Sequence, residues 1–115
     1  MDSAPIRTSG GWYRVAIRDT VQRVIVSFRH KGLERLYRDG STKGVQAAHA
    51  PKLLRILSVL DVAQTPKDLA IPSFRTHPPE GGLAGHWSIW VNGNWRVTFR
   101  FVDGDVELVD YQDYH

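Results

Sequence analysis

The 115-residue sequence has no cysteine, one methionine, and no apolar run near the roughly 20 residues that a bilayer-spanning helix requires. Without cysteine there is no disulfide, thiolate metal site or thiol nucleophile, which fits a reducing cytoplasm. The longest apolar stretches, Val24 to Phe28 and Leu53 to Leu60, are short or broken by charge, so no membrane partner is expected. Met1-Asp2-Ser3-Ala4-Pro5 lacks a basic region followed by an apolar run, so no secretory signal is expected either. A Gly-rich phosphate loop is also missing, because Gly81-Gly82 has neither the lysine nor the following helix that such a loop uses. His30, His49, His77 and His86 show neither the i, i+4 pairing nor the carboxylate spacing of a zinc site, so no metal centre is expected.

What is present points to one folded domain. Hydrophobic residues make up 42% and charged residues 23%, with four each of Trp, Tyr and Phe, enough for a core and too apolar for a disordered chain. The length fits a single domain. The formal charge of +3 is unevenly spread: residues 1–60 carry +7 and residues 61–115 carry −4. A basic first half suits an anionic partner, although residues 1–23 supply +2 of it and bulk charge alone does not establish nucleic-acid binding.

Residues 1–23 hold Gly10-Gly11, Pro5 and several serines without sustained periodicity, and read as an extension, with the folded domain over 24–115. Val24 to Phe28 is a compact β-branched strand. Leu33, Leu36 and Tyr37 then fall at i, i+3, i+4, and Gly40 supplies a stop, which predicts a short amphipathic helix. A further helical piece is expected over Val45 to Ala50. Pro51 marks the start of a central core helix running to about Ala63, with Leu53, Leu57 and Leu60 on one side and Leu54, Ile56 and Val59 widening the face. Thr65-Pro66-Lys67-Asp68 carries a helix-start signature for one turn ending at Leu69. Pro72 to Gly85, with three prolines and three glycines, reads as loop.

The last thirty residues read as a meander: His86 to Val91, an Asn92-Gly93 turn, Asn94 to Val102, an Asp103-Gly104 turn, and Asp105 to Tyr111. Trp95, Val97, Phe99 and Phe101 share one face of the middle strand, and Arg96, Thr98 and Arg100 the other. The predicted fold class is α+β: a small antiparallel (mixed) sheet in the order β-α-α-β-β-β, with two main helices on its aromatic face and the other face open.

Arg96 and Arg100 are the most informative charges, because they sit in the acidic half and point the same way. They form either a phosphate cradle or cross-strand pairs with Asp105, Glu107 or Asp110. The closing Asp110-Tyr111-Gln112-Asp113-Tyr114-His115 gathers two phenols, two acids and an imidazole, a set suited to acid–base work on a phosphodiester, against the ordinary fraying of a terminal histidine. Trp87, Trp90 and Trp95 either stack on bases or pack in the core. Trp87 and Trp95 suit the core, and Trp90, which shares its face with Ser88, suits exposure.

Together the motifs resemble the HigB toxins, plasmid-maintenance killer proteins of the RelE superfamily. The resemblance runs from Val24 to His115 through Phe28-Arg29-His30-Lys31-Gly32-Leu33, Asp68-Leu69-x-Ile71-Pro72, Trp87 to Phe101, and the closing Asp-Tyr-His. It implies a RelE-like fold and a bacterial type II toxin that cuts messenger RNA in the ribosomal A site. In that reaction the 2′-hydroxyl attacks the adjacent phosphate, without metal or other cofactor, to leave a cyclic phosphate and a free 5′-hydroxyl. It also implies a helix-turn-helix antitoxin of the HigA type, through which the pair acts on operator DNA.

By the same resemblance Arg96 matches the arginine at the scissile phosphate, His115 the terminal histidine of proton transfer, and Tyr114 its neighbour. Shorter relatives that close with Val-Asp-Tyr-His align Tyr111 in that place instead. Glu80 and Ala84 stand where relatives carry lysine, and Trp90 where some carry arginine. Arg75, His77, Lys31 and Arg100 are the cations available to compensate, and Arg100, Tyr111, Trp90, Arg75 and Lys31 make up the expected RNA-binding set. The alternative is a weak or inactive copy that binds RNA, ribosome or antitoxin without cutting.

Overall fold

A computed structural model describes residues 25–79 and 85–114; the extension of 1–23, Val24, Glu80, Ala84 and His115 fall outside the described residues. Two helices lie against a three-stranded antiparallel sheet: α1 (Lys31–Asp39), α2 (Ala50–Val62), β1 (Trp87–Asn92), β2 (Trp95–Val102) and β3 (Asp105–Asp113). The strands pair in the order β1-β2-β3. Among the described residues no helix is long and apolar enough to cross a membrane.

The helix boundaries follow local chemistry. His30 caps α1 by accepting a hydrogen bond at Nδ1 from the Leu33 N–H (3.0 Å), and Gly40, at φ 75°, ends it with its N–H donating to the Leu36 carbonyl. Pro51 occupies the first turn of α2, where its missing N–H costs nothing. The Tyr37 hydroxyl donates to Asp61 Oδ1 (2.6 Å) and ties the two helices together. Backbones also meet where Gly32 faces Gly44, and a Cβ on Gly32 would collide with the Gly44 carbonyl. The expected helical piece before Pro51 is a 3-10 turn at Ala47–His49, and Pro66–Leu69 forms the single turn expected there. In that turn Asp68 accepts from the Gln64 and Thr65 N–H groups, which holds its carboxyl below the usual carboxylate range. The loop after Pro72 opens with a further 3-10 turn, Pro72–Phe74, that buries Phe74.

The core joins Leu33 and Leu36 of α1, Leu53, Ile56, Leu57 and Leu60 of α2, and Ile89, Val97, Phe99, Val106 and Val109 of the sheet. Each large apolar side chain removed from water contributes about 1.5–3 kcal/mol. Leu54, expected to widen the buried face of α2, is exposed. On the sheet's other side Ser88 and Thr98 are buried, so the centre of the face expected to be open is sealed.

Two irregularities shape the sheet. The β1–β2 register shifts between Trp90 and Asn92, and the β2–β3 register shifts between Thr98 and Arg100, where Leu108 and Val109 both stand opposite Phe99. Leu108 takes φ 56° at this bulge. Ser27 holds it there: its Oγ accepts from the Leu108 N–H (2.9 Å) and its carbonyl from the Val109 N–H (3.1 Å). The predicted first strand therefore runs parallel beside β3 but touches it only through bridges at Ile25–Val106 and Phe28–Val109. The bulge lies between those bridges, so the predicted first strand is reduced to isolated contacts, and the sheet of the described residues is the three-stranded antiparallel one.

Candidate active site

The candidate site forms at the β1–β2 turn. Gly93 sits at φ 55°, and its carbonyl accepts from two side chains at once, Trp90 Nε1 and Arg96 Nη1, each at 3.0 Å. Trp90 and Arg96 are register partners, so the turn carbonyl braces an aromatic ring and a guanidinium side by side. Arg96 Nη1 also donates to the Trp95 carbonyl (3.0 Å). Its partner on β3 is Gln112, which carries no charge, and Arg96 forms no ion pair with a carboxylate among the described residues.

The end of β3 reaches the same place. The Tyr114 N–H donates to the Asn94 carbonyl (2.8 Å), which brings the penultimate residue to the turn that carries Arg96. Gln112 Nε2 donates to Thr98 Oγ1 (2.8 Å), which places Gln112 on the Arg96 face. His77 borders this face from the far edge, pairing its backbone with Ser88, with its side chain exposed.

Arg75 joins the cluster from the loop. It adopts φ 45°, ψ 50° after the Pro72–Phe74 turn, and its guanidinium carbon lies 4.2 Å from the Trp90 ring centre. Lys52 reaches the same ring from α2, with Nζ 4.2 Å from its centre, while donating to the Ser73 carbonyl (2.7 Å). Partial burial, then the charges of Arg75 and Arg55, push the Lys52 ammonium below the ordinary lysine value. Lys52 carried no signal in the sequence. It is one polar residue on the flank of a helix, and only the packing of α2 beside β1 and the loop brings it to Trp90.

Three expected RNA contacts land elsewhere. Tyr111 is buried on the helix side of the sheet, where its ring stacks on Trp95 (4.5 Å, 29°) and its hydroxyl accepts from the Gln46 N–H and pairs with His49 Nδ1 at 2.7 Å. Burial pushes its phenol up from the ordinary tyrosine value. A phenol held in this way is a core group and not a surface contact. Were the β2–β3 ladder straight, Tyr111 would stand opposite Arg96; the bulge puts Gln112 there instead. Arg100 pairs with Glu107 (3.4 Å), its register partner, as the cross-strand reading expects. Lys31 is exposed at the first turn of α1, in the helix layer. His115 lies outside the described residues.

Comparison with known proteins identifies the family. Residues 26–115 match the family of the RelE-like toxin of type II toxin–antitoxin system HigB. The chain is 40% identical over 92 residues to a protein named endoribonuclease HigB from Proteus vulgaris, covering 80% of this chain and all of that one. It is 39% identical over 92 residues to toxin HigB-1 of Vibrio cholerae serotype O1, covering 78% and 96% respectively. With a domain-length family match, two relatives at this identity and the α+β architecture in agreement, the chain belongs to the HigB-like toxins of type II toxin–antitoxin systems.

Proposed function

We propose that this chain is an endoribonuclease that cuts messenger RNA in the ribosomal A site and is held inactive by a HigA-type antitoxin. The observation that carries the reading is Arg96: a guanidinium without a carboxylate partner among the described residues, braced by the Gly93 and Trp95 carbonyls, beside Trp90 and near the end of the described chain at Tyr114. The name of the Proteus vulgaris relative supports the same activity.

In this mechanism the 2′-hydroxyl of the RNA attacks the adjacent phosphorus and the 5′-oxygen leaves. The products are a 2′,3′-cyclic phosphate and a 5′-hydroxyl. Charge builds on the phosphoryl oxygens in the transition state, and Arg96, fixed beforehand by two backbone carbonyls, offsets it without reorganising. Tyr114 donates a hydrogen bond to a phosphate oxygen. His115 moves a proton, the role an imidazole can take near neutral pH. His77, whose backbone pairs with Ser88 at the edge of the same face, is a further exposed imidazole there. No metal or cofactor takes part.

The test is controlled expression without antitoxin in a bacterial host, mapping messenger RNA 5′ ends beside a His115→Ala control. New ends inside translated frames that vanish in the control are expected. Growth without new ends would refute the nuclease reading and favour a binding or regulatory toxin scaffold, with Glu80 and Ala84 in the places of lysines as its basis.

A further inference from the structure

Trp90 carries more positive charge than an isolated aromatic contact needs. Lys52 Nζ and the Arg75 guanidinium carbon each lie 4.2 Å from its ring centre, so the two cations are no further apart than the sum of those distances. Neither is paired with a carboxylate among the described residues, whose ion pairs are Arg38 with Glu34 and Arg100 with Glu107. Arg55, one helical turn from Lys52, adds a third positive charge. Like charges held together without a counter-ion repel, and a bound anion relieves that repulsion.

The positions are held in place from several sides. Lys52 donates to the Ser73 carbonyl at 2.7 Å. Arg75 is set by a left-handed backbone conformation, and its N–H donates to the Pro72 carbonyl. The indole is anchored at its own N–H by the Gly93 carbonyl, the same oxygen that braces Arg96. The cation pair and Arg96 therefore flank one indole. Burial and the neighbouring arginines disfavour the charged form of Lys52, and a bound anion offsets that cost.

We propose that Lys52, with Arg75 and the Trp90 indole they share, forms a second anion seat that takes a backbone phosphate of the substrate RNA next to the one held by Arg96. This rests on the ribonuclease reading for the identity of the strand, and on the geometry alone for the anion. Arg96 serves the reacting phosphate, whereas Lys52 and Arg75 bind and orient the strand. Lys52 is thus a binding residue that lowers KM and leaves the chemical step alone.

The experiment compares wild type, Lys52→Met, Lys52→Arg, Arg75→Gln and Arg96→Ala. The first probe is a single-stranded RNA oligonucleotide blocked by 2′-O-methyl groups, titrated over a salt series; the second is cleavage on programmed ribosomes. Lys52→Met keeps the stem against the indole, and Arg75→Gln leaves α2 untouched, so a folding defect in one does not silence the other. Each is expected to weaken oligonucleotide binding about tenfold and to lower the slope of log affinity against log salt by about 0.7, the loss of one single-strand phosphate contact. On ribosomes each raises KM about tenfold by the same lost contact, with kcat held. Lys52→Arg restores affinity and slope.

An unchanged slope in both variants, or no rescue by arginine, overturns the proposal. So does an effect on ribosomes with none on the oligonucleotide, which assigns the anion to ribosomal RNA, and so does a wild-type chain that does not bind the oligonucleotide. A wild-type chain that binds the oligonucleotide with the Lys52-dependent slope but never cleaves upholds the seat and refutes the nuclease reading.

Discussion

The two ends of β2 carry the same residue type and meet opposite fates. At one end Arg100 faces Glu107 across the ladder and is neutralised at 3.4 Å. At the other, four residues away, Arg96 faces the uncharged Gln112 and, among the described residues, donates to the Gly93 and Trp95 carbonyls, so no carboxylate of these residues neutralises it. The difference comes from the bulge at Leu108 and not from the arginines. An unbroken register would bring Tyr111 opposite Arg96, and one extra residue in β3 moves every later side chain to the other face. The lesson is that a surface charge is made structural or functional by what the register brings opposite it.

The largest expected effect separates the two arginines directly. Arg96→Ala removes a preorganised donor worth about 3 kcal/mol and should lower the cleavage rate on programmed ribosomes by about a hundredfold. Arg100→Ala should change that rate less than about threefold, as expected for a charge already paired at the surface. Equal losses in the two variants would erase the distinction between the ends.

A second effect probes what supports the Arg96 end from beneath. Tyr111→Phe deletes the hydroxyl that meets the buried His49 Nδ1 and the Gln46 N–H, leaving the His49 nitrogen without this partner at about 1–3 kcal/mol, read as a shift of the urea midpoint. The folded pKa of Tyr111 is raised, so the folded state holds its proton more tightly than the unfolded chain. The stability from that difference is complete below the ordinary value of 10.0 and is lost as pH rises beyond it. Wild type should lose stability on that alkaline limb, and Tyr111→Phe should lose less.

Ser27→Ala tests the bulge itself. It removes the acceptor of the Leu108 N–H, at a cost of about 1 kcal/mol, and should lower cleavage by loosening the register that places Gln112 and Tyr114. Hydrogen exchange at Leu108 and Val109 would report that loosening, and unchanged protection there would contradict it. The smallest effect is Glu107→Gln. An exposed pair of this kind is worth under about 1 kcal/mol, and freeing Arg100 should leave RNA affinity and its salt slope unchanged. A rise in affinity would mean that both ends of β2 face the nucleic acid.

Much of this was legible without coordinates because it is local. The capped helix ending at Gly40, the helix opening at Pro51, the single turn at Pro66–Leu69 and the Asn92-Gly93 hairpin each rest on residues a few positions apart. The inward set of Val97 and Phe99 follows from strand alternation in the same way. The family, too, was carried by contiguous motifs, and the match over residues 26–115 agrees. Leu54 escaped this reading because hydrophobicity does not say which flank of α2 meets the sheet.

Tertiary structure decided the rest, wherever the partner is distant in sequence or the backbone departs from regularity. Leu108 is not a glycine and gives no sign of a left-handed bulge; Ser27, eighty-one residues earlier, holds it there. The bulge at Leu108 interrupts the bridges of the first segment, sends Tyr111 into the core and sets Gln112 against Arg96. Lys52 likewise owes its place to α2 packing beside β1, which no period along the chain encodes. Sequence by itself determined the two helices, the three-strand meander and the α+β class. Long-range hydrogen bonds and packing decided which face each later side chain occupies, because a strand's alternation propagates an error of one residue to everything that follows it.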